Sequence, residues 1–431
     1  MCDACLRMVP AEVREENGRV WLVRACREHG ERRTLLSEHP AYYRDLNGFY
    51  FDVMRRGHRQ RDFILRLTER CNLQCPICLA GANEDLLADF TVEDVRRLTR
   101  RMKGKKFDLM GCEPTVMPDL PAILRVIRES GNIAALHSNG VALADFDYAR
   151  SLAEAGLDEV HLQFDGFDDD AYTVIRGEPQ AAVKRQAFEN LARLGIPVDL
   201  VMTILRGVND GEIADVLDFG ARHENVKEVF FLGCRMLGKA VGSFESAQLL
   251  PDQVIDLLAE ATGRRISREQ VRRFQKLYFA MLSIFGIRKC FYIQHYLLIR
   301  RGNGAYGTID DHLDMVRLER VLERYRARRR AERRLAAPLF FCEALPVFLR
   351  PRALALAAEF AVLGTLMACG FNLKRVRRRS ILLGYITACD PLIYDTDVAE
   401  NCGKGEISRD LGVQEAGALA NVLREHRWRR A

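Results

Sequence analysis

From Phe63 the chain alternates apolar and polar residues, with Phe63, Leu65 and Leu67 on one side, which predicts a half-buried strand. A helical run follows Thr91 as far as Met102, and Phe107 to Met110 gives a second short strand. The two element types then take turns. Pro118 to Ser130 reads as a helix stopped near Gly131, Ile133 to Leu136 as a strand, and Asp145 to Ala155 as a helix closed by Gly156. Val160 to Phe164 is a strand, Ala181 to Leu194 a helix closed by Gly195, and Val198 to Ile204 a strand. Asp210 to Arg222 is a helix, and Val229 to Leu232 is the sixth strand. Strands joined through helices are crossover-connected, and crossovers lay neighbouring strands parallel. The pattern predicts an α/β fold: a parallel (β/α)6 sheet curved into a partial barrel, with ligands at the C-terminal ends of its strands.

The flanks read differently. Residues 1–60 are polar and cysteine-bearing, with Val20-Trp21-Leu22-Val23 as a strand signal, and residues 236–431 read as helical. Three regions are expected: an N-terminal metal knuckle (1–60), the barrel (61–235), and a helical C-terminal extension that binds substrate (236–431). Within the last, Leu277 to Ile299 and Pro338 to Phe371 are apolar, suited to core packing or to the wall of a hydrophobic tunnel. Between them runs Arg324-Tyr325-Arg326-Ala327-Arg328-Arg329-Arg330-Ala331-Glu332-Arg333-Arg334. That run fits a solvated helix face, or a contact for phosphate groups on a substrate or a membrane surface. Ala353 to Phe371 comes nearest to a membrane span, but it is short and carries Glu359 near its middle, so a buried helix or hydrophobic wall is expected instead.

Composition sharpens this. At 431 residues, 48% apolar and 29% charged, the chain has the balance of a globular protein with a sizeable core. Its net charge of +6 is modest for that length, and without a nucleic-acid module in view nucleic acid is not an expected partner. The 13 cysteines do change the picture. The start, Met1-Cys2-Asp3-Ala4-Cys5, has no apolar export region, so a cytoplasmic setting is expected, extended by peripheral membrane contact. Clustered cysteines there act as metal ligands rather than disulfides.

The densest group is Cys71-Asn72-Leu73-Gln74-Cys75-Pro76-Ile77-Cys78, a C-x3-C-x2-C motif directly after the first strand. Three thiolates suit an iron–sulfur cluster, or a zinc ion with a remote fourth ligand. Later strand ends carry further polar groups. Gly111-Cys112-Glu113-Pro114 follows the second strand and Ser138-Asn139-Gly140 the third. Gln163 and Asp165 end the fourth, with Arg176 a little beyond. At the front, Cys2-x2-Cys5 and Cys26-x2-His29 have the spacing of a zinc ribbon whose fourth ligand is histidine.

Taken together, these motifs resemble the radical S-adenosylmethionine (SAM) superfamily over about Phe63 to Cys234. The resemblance implies a 4Fe-4S cluster on Cys71, Cys75 and Cys78, with one iron left open to chelate SAM. It also implies reductive SAM cleavage and hydrogen abstraction from a carbon substrate. Gly111-Cys112-Glu113-Pro114 resembles the superfamily's Gly-Gly-Glu-Pro motif, with Cys112 in place of the second glycine. By the same resemblance Asn139, Gln163 and Asp165 contact SAM and Arg176 pairs with its carboxylate, although each also fits a structural role.

The front end, closing on Cys26-Arg27-Glu28-His29-Gly30, resembles the subgroup of archaeal tetraether lipid synthases and pterin-methylating radical SAM enzymes. Zinc or a mononuclear iron on Cys2, Cys5, Cys26 and His29 follows from that resemblance. The subgroup's auxiliary clusters put Cys342, Cys369, Cys389 and Cys402 in view as ligands of one further iron–sulfur cluster, or as ordinary buried thiols like Cys234 and Cys290. A lipid or other long hydrophobic chain is the first expectation for the substrate, and methyl transfer to a pterin-like small molecule the second. A reductase or ferredoxin-type protein is the expected electron donor. A non-catalytic iron–sulfur or zinc protein, acting as redox sensor or scaffold, is the reading of a different class. The polar set at the strand ends argues against it.

Overall fold

The computed structural model describes residues 2–414 except 3, 6, 55–59, 85–87, 235–237, 241, 245–246, 333, 369–373, 375–378, 388–392, 394–395 and 408–411. It opens on a small antiparallel sheet, β1 (Ala11–Glu16), β2 (Arg19–Cys26) and β3 (Gly30–Ser37). Val20, Leu22 and Leu36 turn one face of this sheet into a buried cluster with Ile393. Helix α1 (Pro40–Val53) then leads to a parallel series. In order it holds β4 (Asp62–Thr68), α2 (Val92–Arg101), β5 (Lys106–Gly111), α3 (Leu120–Glu129), β6 (Ile133–Ser138), α4 (Phe146–Ala155) and β7 (Glu159–Gln163). It continues through α5 (Asp169–Arg176), α6 (Ala181–Arg193), β8 (Val198–Ile204), α7 (Ile213–Arg222) and β9 (Val226–Gly233).

All six expected strands are present, and the predicted boundaries have local causes. Thr91 caps α2 through a reciprocal box with Asp94, Asp145 caps α4 at the amide of Tyr148, and Gly156 closes α4 at φ +108°. Helix α5 lies outside the sequence expectation: its Asp-Asp-Ala-Tyr-Thr-Val-Ile-Arg stretch is too short to show a helical period.

The C-terminal region adds α8 (Pro251–Ala261), α9 (Arg268–Ile284), β10 (Ile293–Arg300), β11 (Tyr306–Thr308), α10 (Met315–Arg330), α11 (Ala336–Phe348) and α12 (Pro351–Ala368). It ends on β12 (Ser380–Thr387), α13 (Thr396–Ala399), β13 (Lys404–Ile407) and β14 (Val413–Gln414). The region expected to be helical therefore also supplies strands to the main sheet, whose order is β11-β10-β12-β9-β8-β7-β6-β5-β4-β13-β14. β12 pairs parallel with β9 and β13 pairs parallel with β4, so both edges of the six-strand series are covered. An uncovered edge would expose a row of unpaired amides and carbonyls.

In the apolar stretch Leu277 to Ile299, the residues Leu277, Phe279, Ala280, Tyr296, Leu297 and Leu298 are buried in the main hydrophobic cluster. Much of the basic run is satisfied internally, because Arg324 and Arg328 pair with Glu343, and Arg326 pairs with Asp52. Helices α11 and α12 leave Leu339, Phe341, Leu345 and Leu354 exposed, but among the described residues no helix is long and apolar enough to cross a membrane. Of the auxiliary-cluster candidates, Cys369 and Cys389 lie outside the described residues; Cys342 is exposed on α11 and Cys402 is buried.

Candidate active site

The loop after β4 holds Cys71, Cys75 and Cys78. Asn83, in the left-handed conformation at φ +66°, pins its start: Oδ1 accepts from the Cys71 amide (3.0 Å) and Nδ2 donates to the Cys71 carbonyl (3.1 Å). Burial raises the Cys71 thiol to about 11 and also pushes Cys75 up, with the guanidinium of Arg176 opposing the rise at Cys75. The three thiols are neighbours, yet they do not form a group with all ligand atoms within 4.8 Å. The front knuckle does. Cys5 Sγ lies 3.9 Å from Cys26 Sγ, and His29 Nδ1 lies 3.4 Å from Cys26 Sγ and 3.7 Å from Cys2 Sγ. A tetrahedral ion with metal–sulfur bonds near 2.3 Å sets thiolates about 3.8 Å apart, so the knuckle fits one ion. The wider spread at Cys71, Cys75 and Cys78 suits a multi-iron cube. His29, the largest influence, lowers the Cys26 thiol to about 6, which favours the ligating thiolate.

The second strand end is built against this loop. Gly111 sits at φ +137°, where a Cβ would fall 2.2 Å from the Thr68 carbonyl oxygen, so only glycine fits there. Cys112 is not among the positive-φ residues, which explains why a side chain is tolerated at the position after it. The amides of Cys112 and Glu113 donate to the carbonyls of Thr68 and Arg70, both at 3.0 Å. Glu113 is buried and accepts from the Ser138 hydroxyl (2.9 Å), the Asn139 amide (2.7 Å) and the Thr115 hydroxyl (2.6 Å). It ties β5 to β6, and Pro114 starts the short turn that follows. Asn139 Nδ2 donates to Asn72 Oδ1 (2.7 Å) in the cluster loop and lies 3.8 Å from Cys71 Sγ.

The fourth strand end is equally committed. Asp165 is fully buried; it receives Arg176 Nε (2.7 Å) and Nη2 (3.0 Å), the Thr203 amide (2.8 Å) and the Gln163 amide. Asp165 is therefore the holder of Arg176 and not an open acceptor at the mouth. Sequence reasoning missed Lys184. This buried lysine on α6 donates to the Asn139 carbonyl and to Gln163 Oε1 (3.0 Å), and burial lowers its ammonium to about 8. A single lysine inside a helical pattern gives no signal in the sequence.

One face of the sheet packs Phe107, Leu109, Leu136, Val160, Leu162 and Leu200 into the core. The opposite face has two levels. Near the strand ends Arg66, Met110, His137, Gln163, Val201, Thr203 and Phe230 are only partly buried. Below them, Asp108, Glu159 and Asp199 are buried and ionically bound, and His161 is buried beside His137. Lys106 and Lys374 meet Glu159, Lys374 also meets Asp199, and Lys404 meets Asp108. The inner face of the sheet beneath the cluster loop thus ends on charged groups.

Residues 65–220 match the model of the Radical SAM superfamily, and the chain carries a radical SAM domain. Such a domain brings a 4Fe-4S cluster and SAM as cofactors, and it makes this chain an enzyme. Residues 1–38 match a second model, the HMPTM N-terminal zinc ribbon domain, in line with the metal-fitting knuckle. The chain is similar to 7,8-dihydro-6-hydroxymethylpterin dimethyltransferase of Methanocaldococcus jannaschii, 30% identical over 303 residues, 62% of this chain and 59% of that protein. It is also similar to a probable GTP 3',8-cyclase of Pyrococcus abyssi, 33% identical over 173 residues, 39% of this chain and 56% of that protein. The chain thus spans a little over half the length of these relatives. Among solved structures, Streptococcus suis SuiB bound to S-adenosylmethionine is similar over 48% of this chain and 47% of that one, with a TM-score of 0.40 and 16% identity.

Proposed function

We propose that this chain is a radical SAM enzyme that methylates a small, polar, nitrogen-rich heterocycle of the pterin kind. The observation that carries the reading is the polar inner face of the sheet beneath the cluster loop. Asp108, Glu159 and Asp199, held by Lys106, Lys374 and Lys404, with Arg66 and His137 above them, make this face polar, which suits a hydrogen-bonding heterocycle better than a hydrocarbon chain. The ribbon at residues 1–38 and the likeness to a pterin dimethyltransferase support it. This reading replaces a lipid as the first expectation.

Cys71, Cys75 and Cys78 would hold the 4Fe-4S cluster, bound SAM would supply one-electron chemistry at carbon, and a further SAM molecule would be the source of the methyl group. Gly111, Cys112, Glu113 and Pro114 keep a backbone turn against the cluster loop, where SAM binds. Asn139 and Gln163, bound to Asn72 and to Asp165 and Lys184, brace the wall of that site, and Asp165 aims Arg176 toward Cys75 and the carboxylate end of SAM. A ferredoxin-type protein would deliver the electron.

The test is anaerobic. Protein reconstituted with iron and sulfide receives SAM, a strong reductant and either 7,8-dihydro-6-hydroxymethylpterin or a lipid extract. 5′-Deoxyadenosine and methylated pterin are then quantified by mass spectrometry. Pterin-dependent product supports the proposal. Product that forms only with the lipid extract overturns it.

A further inference from the structure

Four side chains lie in one row across the inner face, one level below the cluster loop. Arg66 on β4 is in register with Met110 on β5. Leu109 pairs with Leu136, so Met110 stands beside His137 on β6, and His137 is in register with His161 on β7. The two imidazoles stack with centroids 4.1 Å apart and planes 5° from parallel. His161 is buried behind, while the His137 side chain stays 24% accessible.

The chemistry of this row is set from below. Burial disfavours a charged Asp108, but Lys404 and Lys106 outweigh it and hold the carboxyl well below its usual range. An ionised carboxylate only accepts hydrogen bonds, so His137 Nε2, 3.4 Å from Asp108 Oδ1, carries the ring proton. Burial also lowers the imidazole's pKa, keeping it neutral. His137 Nδ1 is then a lone-pair acceptor, and among the described residues it has no protein donor. At the other end, Arg66 Nη2 donates to Glu69 (3.2 Å), while its Nε is buried without a hydrogen-bond partner. A buried donor without a partner is costly unless a ligand satisfies it. The row therefore presents a donor on β4, a thioether surface on β5 and an acceptor on β6. The ends lie about 10 Å apart at two ladder spacings.

We infer that Arg66, Met110 and His137 form the specificity platform for the substrate ring. Arg66 donates to a ring carbonyl or ring nitrogen, Met110 lies under the ring face, and His137 Nδ1 accepts a ring or amino N–H. His161 and Asp108 are positioning residues that fix the His137 plane and tautomer. This inference rests on the heterocycle reading of the substrate and names the residues that recognise it.

Binding can be measured without the cluster. The full chain is titrated anaerobically with 7,8-dihydro-6-hydroxymethylpterin, followed by ligand fluorescence, and with GTP, followed by calorimetry. His137→Phe keeps the stacked ring and removes the acceptor; Arg66→Gln removes the cationic donor. Each is expected to weaken pterin binding about tenfold or more. His137→Gln, whose amide oxygen still accepts, is expected to stay within about threefold of wild type. If His137→Phe does not fold, Arg66→Gln and His137→Gln decide the matter. Pterin binding unchanged in His137→Phe and in Arg66→Gln overturns the platform and leaves the pterin reading standing. GTP binding that depends on His137, without pterin binding, sustains the platform and overturns the pterin reading. Absence of binding by both ligands in the wild type overturns the platform.

Discussion

Arg176 meets Asp165 at two points, Nε at 2.7 Å and Nη2 at 3.0 Å, in a pair buried beneath the cluster loop. Two residues that the sequence offers as separate SAM contacts are thus one unit. The guanidinium fork matches the carboxylate, so Asp165 fixes the direction of Arg176 and leaves it facing Cys75.

Asp165→Ala is expected to leave a buried guanidinium uncompensated. The loss should be about 3–5 kcal/mol of stability, read by urea unfolding, together with weaker SAM binding. Full stability in the variant would mean that solvent reaches Arg176 freely.

Gly111→Ala is expected to disturb the cluster loop. The backbone conformation alone costs about 1–3 kcal/mol, and the added Cβ meets the Thr68 carbonyl. Lower iron content after reconstitution and a lower melting temperature are the readouts. A variant with normal iron loading would show that the loop moves aside at little cost.

Cys75→Ala is expected to abolish the cluster absorbance and the formation of 5′-deoxyadenosine while keeping the metal of the front knuckle. Metal analysis of the variant separates the two sites.

Removing the knuckle metal with a chelator, or introducing Cys26→Ser, is expected to loosen β1–β3. Limited proteolysis should cut within residues 1–38 first and spare the segment from residue 62 onward.

Lys184 gives a pH dependence. Burial lowers its ammonium from the ordinary 10.5 to about 8, so between those values the unfolded chain holds one proton more than the folded chain. Stability from this group therefore rises with pH across that window and is lowest below about 8. Urea unfolding at pH 8 and pH 10 should show wild type gaining on Lys184→Met. An unchanged difference would mean that the ammonium keeps its ordinary pKa in the fold.

Much of the site was legible because its signals are local. Cys71, Cys75 and Cys78 sit within eight positions, the knuckle ligands come in two close pairs, and Gly111 marks a turn. Asn83, Lys184 and the row from Arg66 to His161 were not legible, because each gains its meaning from a partner on another strand or helix. Strands β12 and β13 were missed for a related reason. β12 lies in a stretch that reads as a continuation of basic and apolar helix, β13 is only four residues long, and both are strands by virtue of their pairing with β9 and β4.

By itself, the sequence determined the parallel α/β series, the cysteine loop after its first strand and the metal-binding front end, because periodicity and ligand spacing act over a few residues. Only the tertiary structure decided that Asp165 belongs to Arg176, that the C-terminal strands close both edges of the sheet, and that the inner face beneath the cluster loop carries charge rather than hydrocarbon. Those outcomes depend on which side chains from distant segments share a buried space, where an ionic group must find its partner or not be charged.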